Sequence, residues 1–209
     1  MTQTKFKTAQ EAFWAGEFGN DYIGRNDAPE IVAANLARFG EILGHTRGIG
    51  SVIEFGANIG NNMRALRQLL PHADLSAIEI NTKAAETLRS LGYVNVHEGS
   101  ILEYAPSATY DLVLIKGVLI HINPEHLDKV YDALHASSKR YICVCEYYNP
   151  TPVTVPYRGH DERLFKRDFA GELMDRHPDL RLVAYRFNYH RDPSFVFGDD
   201  TWFLMEKQG

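Results

Sequence analysis

The run Glu54-Phe55-Gly56-Ala57-Asn58-Ile59-Gly60-Asn61-Asn62 constrains this chain more than any other stretch. Ahead of it, Ser51-Val52-Ile53-Glu54-Phe55 is a short apolar run bounded by glycine, the pattern of a buried strand. Behind it, Asn61 to Leu70 reads as a helix. A strand that turns on glycine into a helix is the first half of a βαβ unit, and a doubly wound sheet binds nucleotides at that turn. Gly56 permits the tight turn, and Gly60 is expected to let a ligand approach the backbone. The spacing G-x-x-x-G, with an acid two residues ahead, differs from G-x-G-x-x-G, since no glycine stands at 58 or 61. A diphosphate needs exposed amides and no negative charge nearby. A loop opened by Glu54 suits a cationic amino acid or a sulfonium better.

The alternation of strand and helix continues. Strands are expected at Leu75–Glu79, Val94–His97, Asp111–Lys116 and Tyr141–Glu146, with helices at Thr82–Leu91 and Pro124–Ala136. Strand, helix, strand in sequence implies parallel strands joined by right-handed crossovers. The tail breaks this rule. Leu182–Tyr189 and Thr201–Lys207 both read as strands, and the segment between them holds Asp192-Pro193 and Gly198-Asp199-Asp200, with no room for a helix. They are expected to pair as an antiparallel hairpin. The fold class is therefore α/β: a doubly wound, mostly parallel, seven-stranded sheet closed by a C-terminal antiparallel hairpin. One domain spans 1–209, with an N-terminal arm and helix over 1–47 and a Rossmann-like core over 48–209. The arm, residues 1–26, reads as irregular but aromatic, with Phe6, Phe13, Trp14, Phe18 and Tyr22. Asp27-Ala28-Pro29-Glu30 looks like a capped helix start, and that helix should run to about Leu43 with Ile31, Leu36, Phe39 and Leu43 on one side.

Composition narrows the partners. A net charge of -5 gives no electrostatic footprint for long nucleic acid. No stretch of about 20 residues is free of charge, so no membrane span is expected. The opening MTQTKFKTAQ lacks an apolar core, which points to the cytoplasm. Cys143 and Cys145 alternate on one strand, share a face and read as core thiols rather than a disulfide. Carboxylates and histidines are scattered with no H-x-x-x-H or comparable ligand spacing, so no metal is expected.

Two further stretches bear on a cofactor. Glu79 ends the second strand, where an acid accepts both ribose hydroxyls. Glu98-Gly99-Ser100-Ile101 forms a turn after the third. Together with the glycine loop they resemble the class I S-adenosylmethionine-dependent methyltransferases, over roughly residues 48–207. Asn58 stands where that family usually has its middle glycine. The resemblance implies S-adenosyl-L-methionine as cofactor. It also implies a binding set of Trp14, Tyr22, Arg25, Glu54, Gly56, Asn58, Gly60, Glu79, Ile80, Gly99, Ser100, Ile101, Lys116 and Gly117. Ser100 would meet the adenine amine, with Ile101 against the ring.

The stretch Phe13 to Asn26 (FWAGEFGNDYIGRN) is similar to the opening of a methylase group associated with pseudaminic acid biosynthesis. So are E-F-G-A-N-x-G, K-G-V-L-I-H-I-x-P and Y-R-G-H-x-x-x-L-F-K-R-D-F. This resemblance implies an anionic sugar acceptor: a nonulosonic acid or its nucleotide-activated form. His121, after the fourth strand, would then be the base or the orienting group for a hydroxyl. Arg25 would hold a carboxylate, of methionine or of the acceptor. Tyr148, Arg158 and His160, on a long loop from Glu146 to Leu164, would contact the acceptor. Other readings stay open: an amine, carboxylate or tRNA-base acceptor, or a cofactor-binding protein without turnover.

Overall fold

The computed structural model of the chain describes residues 6–24 and 29–208, and within these the side chains of 160–162 are not described. The expected helix cap at Asp27-Ala28 lies outside the described residues.

The arm is helical where irregular chain was expected. Helix α1 spans Ala9–Ala15 and α2 spans Glu17–Ile23. The cause is a capping box. Thr8 Oγ1 accepts from the Glu11 amide at 3.0 Å, while the Glu11 carboxylate accepts from the Lys7 and Thr8 amides. Helix α3, Pro29–Gly44, follows, and then β1 (Ser51–Phe55), α4 (Asn61–Leu69), β2 (Asp74–Glu79), α5 (Thr82–Arg89) and β3 (Val94–Glu98). Next come β4 (Tyr110–Lys116) and two 3-10 turns, Leu119–His121 and Pro124–His126. These lead into α6 (Leu127–Ser137) and β5 (Ser138–Glu146).

Where a long loop was expected there is a hairpin, β6 (Val153–Tyr157) and β7 (His160–Lys166). Arg158 and Gly159 both have positive φ, 50° and 83°, as a two-residue hairpin turn of matching twist requires. Helix α7 (Phe169–Arg176) is capped by Asp168, whose carboxylate accepts from the Gly171 amide at 2.8 Å. The chain closes with β8 (Leu180–Phe187) and β9 (Thr201–Lys207).

The main sheet has seven strands in the order β3-β2-β1-β4-β5-β9-β8. The first five are parallel; β9 lies antiparallel to β5, and β8 antiparallel to β9. The expected hairpin is present, with its second strand inserted next to the parallel sheet. Both faces of the central strands are buried, so their alternate residues feed two cores, while the edge strands β3 and β8 are largely exposed. Phe55, Val113, Ile115 and Val144 pack under α6 and α7. Val52, Leu114, Cys143 and Cys145 pack under α3 and α4. The two thiols are free, buried and on one face, as read from the sequence. Strand order reverses between β1 and β4, which opens a crevice at their carboxyl ends.

Candidate cofactor and acceptor site

That crevice holds a cavity of about 230 Å³. Its floor is the glycine loop. The amides of Gly56 and Ala57 donate to the Ile78 carbonyl at 2.9 and 3.1 Å, which ties the loop to β2. Asn58 sits at φ 49°, a left-handed conformation that glycine adopts freely and asparagine tolerates. This is how Asn58 replaces the family's middle glycine. Gly56 lines the cavity at φ 79°, and a Cβ there would stand 2.6 Å from Val118 Cγ2. Gly60 differs from expectation. It caps α4 at φ 85°, is not on the cavity wall, and a Cβ there would meet Leu88 Cδ1 at 2.5 Å and Leu91 Cδ1 at 2.9 Å. Its missing side chain lets α5 pack closely rather than admitting a ligand.

Glu79 lies on the cavity wall and is 7% exposed. One carboxylate oxygen accepts from the Asn58 amide and the other from the Asn81 amide, each at 2.7 Å. The Ile80 amide also bonds this carboxylate, and the acceptor capacity that remains is available to a ribose hydroxyl. Burial pushes this carboxyl above its ordinary 4.5, against the amides that favour its charge. Beyond it, Ile80, Gly99, Ser100 and Ile101 line one end. The Ser100 hydroxyl donates to Glu11 Oε1 and accepts from the Leu102 amide at 2.9 Å. An acid from the arm thus stands where the adenine amine was expected to meet Ser100 alone.

Glu54 is not on the wall. It is fully buried behind Asn62, whose side-chain amide donates to Glu54 Oε1, and Asn62 is the group that lines the cavity. Glu54 therefore acts through Asn62. Desolvation raises its pKa from 4.5 to about 7, although Asn62 and the Lys116 charge oppose the rise. Glu146, at the end of β5, is a second buried acid, raised to about 7 by desolvation against the amides of Val118 and Leu119. Its Oε1 accepts from both amides at 2.8 Å, which fixes the turn that carries His121.

His121 lines the cavity and is 7% exposed. Its Nδ1 lies 2.5 Å from the Arg163 carbonyl on β7. A carbonyl only accepts, so Nδ1 carries the proton and Nε2 keeps a lone pair. Burial lowers the imidazole pKa to about 4, so the ring is neutral at physiological pH. Trp14 and Tyr157 pack against it at a tilt, with ring centres 4.6 and 5.0 Å away, and Tyr22 meets Trp14 edge-on at 5.2 Å. The arm and the β6–β7 flap therefore close one end with aromatic rings. Asn81 fastens the arm: its side-chain amide donates to the Trp14 carbonyl and to Asn20.

Lys116 and Gly117 also reach the cavity. Tyr148 and Arg158 do not. Tyr148 is exposed beside Phe203, and Arg158 sits exposed at the flap tip over the Tyr157 ring. Arg25 and the His160 side chain lie outside the described residues. Sequence reasoning missed Gln10, Glu11, Ile31, Asn35, Asn81 and Val118, all on the wall. The T-x-x-E of Thr8–Glu11 was the legible signal for an ordered arm. Asn35 had none, since its place depends on how α3 lies over the sheet.

The wall fits a polar ligand. Trp14 Nε1, Asn35 Nδ2 and Asn58 Oδ1 are buried, line the cavity and have no hydrogen-bond partner among the described residues. Buried polar atoms without partners are costly, and a bound ligand with matching donors and acceptors relieves them.

No protein-family model matches the sequence, and no curated protein matches it. Solved structures match its fold. A 1,6-didemethyltoxoflavin-N1-methyltransferase from Burkholderia thailandensis superposes with TM-score 0.69 over 95% of this chain and 87% of that one, at 14% identity. A SAM-dependent methyltransferase from Leishmania major gives TM-score 0.69 at 18% identity, over 95% and 81%. A mitomycin 7-O-methyltransferase gives TM-score 0.61 at 15% identity over 83% of this chain and 54% of that one, so the chain spans about half its length. The fold is that of the class I methyltransferases.

Proposed function

We propose that the chain is an S-adenosylmethionine-dependent methyltransferase acting on a small polar acceptor. The observation that carries this reading is the convergence of Glu79, the Asn58 loop, Ser100 and His121 on one cavity at the carboxyl ends of the strands. Proteins of the same fold are named for O- and N-methylation of small molecules. The acceptor we favour is a nonulosonic acid or its nucleotide-activated form, on the strength of the arm, H-I-x-P and Y-R-G-H motifs.

When bound, the cofactor supplies a methyl group already activated on a sulfonium. Glu79 holds the ribose hydroxyls. Ser100 and Glu11 face the adenine amine, with Ile101 on the ring. Asn58, Asn62 and Lys116 border the methionine portion, and Trp14 and Tyr22 exclude water from the methyl group. His121, held in one tautomer by the Arg163 carbonyl, accepts the acceptor's hydroxyl proton at Nε2. Its lowered basicity makes alignment its larger contribution. Arg25 is assigned to a carboxylate of cofactor or acceptor, and Arg158 and His160 to the acceptor side of the flap.

Calorimetry with S-adenosylmethionine, its demethylated product and NAD tests the cofactor. NAD binding without S-adenosylmethionine binding would end the proposal. Mass spectrometry of nonulosonic acids and nucleotide sugars incubated with labelled cofactor tests the acceptor. A gain of one methyl group identifies it. Cofactor binding with no methyl transfer to any class of small acceptor would favour a cofactor-binding protein without turnover.

A further inference from the structure

The opposite end of the strands carries a second cluster. Residues distant in sequence meet there: His135 on the last turn of α6, and His177 and Asp179 in the link between α7 and β8. One ring nitrogen of each histidine and one Asp179 oxygen all lie within 4.8 Å of one another. His135 Nε2 is 2.8 Å from Asp179 Oδ2. The two imidazoles stack at 4.0 Å with their planes 4° apart. Asp132, one turn before His135 on the same helix face, lies 3.2 Å from His177 Nε2 and is held by Arg176. The cluster sits beside the first residue of β5, whereas Glu146 and the cavity lie at its last. Eight residue steps along a strand separate the two by roughly 26 Å.

We propose that His135, His177 and Asp179 form a binding site for one divalent transition-metal ion of the zinc class, which staples α6 to the start of β8. Two imidazole nitrogens and one carboxylate oxygen are the donor set that zinc and its neighbours take, whereas calcium and magnesium require oxygen alone. Bond lengths of about 2.0–2.1 Å place tetrahedral donors about 3.4 Å apart, so a bound ion draws the three side chains inward by rotation. Asp132 beside His177 is the outer carboxylate that orients a metal-bound imidazole. Arg176 balances the Asp132 charge, and Asp179 is the one anionic ligand, with the Lys207 ammonium nearby on the His135 and Ser138 carbonyls offsetting part of its charge. A fourth position is left for water. The site is too far from the cavity to touch an acceptor, and its role is to fix the C-terminal hairpin against α6.

The inference is independent of the methyltransferase reading, and its test does not use turnover. The full-length protein is stripped with a chelator and titrated with Zn²⁺ by calorimetry and with Co²⁺ by visible absorption. One equivalent of Zn²⁺ should bind, and Co²⁺ should give the d–d bands of a low-coordinate site. At a hundredfold excess over Kd, Zn²⁺ should raise Tm by about 5–10 °C. His135→Ala and His177→Ala should each weaken Zn²⁺ binding at least tenfold, while His72→Ala, at an exposed position, should not change it. Asp179→Asn, the isosteric change, serves where a histidine variant fails to unfold cooperatively, and it should weaken binding likewise. Absence of saturable binding, or binding unchanged in these variants, overturns the site. Binding of S-adenosylmethionine should be the same with and without Zn²⁺.

Discussion

Gly60→Ala separates two roles that a glycine loop can play. At φ 85° an alanine meets the left-handed penalty of roughly 1–2 kcal/mol. Its Cβ would also stand 2.5 Å from Leu88 Cδ1 and 2.9 Å from Leu91 Cδ1. Leu88 is fully buried, so it cannot swing clear without repacking, and overpacking of this kind costs about 1–3 kcal/mol. Together the loss is roughly 2–5 kcal/mol, a large share of a domain's stability, which is about 5–15 kcal/mol. For a domain of this size Tm should fall by roughly 5–20 °C. Thermal unfolding by circular dichroism reads that fall. Calorimetry well below the transition should find cofactor affinity within a few-fold of the parent, because Gly60 is off the cavity wall. Gly56→Ala is the control: its Cβ would press on Val118, and both residues line the cavity, so stability and affinity should fall together. A Gly60→Ala protein with unchanged Tm and lost affinity would refute the packing role and restore Gly60 to the ligand.

Glu79→Ala removes acceptors for the ribose hydroxyls, each charge-assisted bond worth roughly 1.5–3 kcal/mol, and frees the amides of Asn58 and Asn81. Cofactor affinity should drop by at least tenfold, and an unchanged Kd would remove Glu79 from the site. His121→Ala should cut turnover by roughly 10²-fold, the loss expected when the acceptor is misaligned, while cofactor binding holds, and a parental rate would leave positioning by the rest of the cavity as sufficient. Glu11→Ala should weaken cofactor binding and raise the exposure of the arm to protease, since Glu11 both closes the α1 cap and bonds Ser100; loss of neither would free the arm from the site. Stability should depend on pH through the buried acids. Glu54 and Glu146 rise from 4.5 to about 7 in the fold, so their contribution is full below 4.5 and is lost as pH climbs to 7. His121 falls from 6.5 to about 4, so its contribution is full above 6.5 and is lost as pH drops to 4. Glu54→Gln keeps an acceptor for Asn62 and removes one titration, so urea midpoints should fall less between pH 4.5 and 7 than in the parent; parallel curves would refute the assignment.

The βαβ alternation was legible because the central parallel strands β1, β2, β4 and β5, buried on both faces, are apolar runs punctuated by glycine or a charge, whereas the edge strand β3 is short and largely exposed. The terminal hairpin was legible from the lack of room for a helix between Tyr189 and Thr201. The arm was not: its helices take their order from a local cap at Thr8 and from Asn81 reaching across to Trp14, a contact only the fold creates. The flap was missed because Val153, Val155 and Tyr157 alternate over a run too short to stand out, and its turn uses Arg158 rather than the asparagine or aspartate that marks such hairpins. Glu54 was read as a ligand from its place in the motif. Period-two alternation already set Glu54 on the opposite face from Phe55, but sequence could not say that Asn62 would stand in front of it. The metal-type cluster was invisible for a plainer reason. His177 and Asp179 stand two apart, but His135 lies more than forty residues earlier, and no local spacing joins all three.

The electrostatics of the crevice return to the argument that began with Glu54. Three buried carboxyl groups stand at the carboxyl ends of the strands: Glu79 closes β2 on the cavity wall, while Glu54, next to last in β1, and Glu146, last in β5, lie behind the wall. Lys116, ending β4 between β1 and β5, is the charge that lowers the pKa values of Glu54 and Glu146. A diphosphate placed here would add two negative charges to a wall that already struggles to keep its own ionised. A ligand that brings a sulfonium and an ammonium does the opposite. It favours the charged form of each acid, so the desolvation that raises Glu54 and Glu146 is offset when the ligand arrives. Glu54 and Glu146 stand behind the wall, so a cation in the cavity would favour their charged forms at a distance, through Asn62 in the case of Glu54, rather than by direct contact. The preference for a cationic cofactor therefore rests on the whole ring of strand ends rather than on the glycine spacing alone, which is why an asparagine in place of the middle glycine leaves the reading intact.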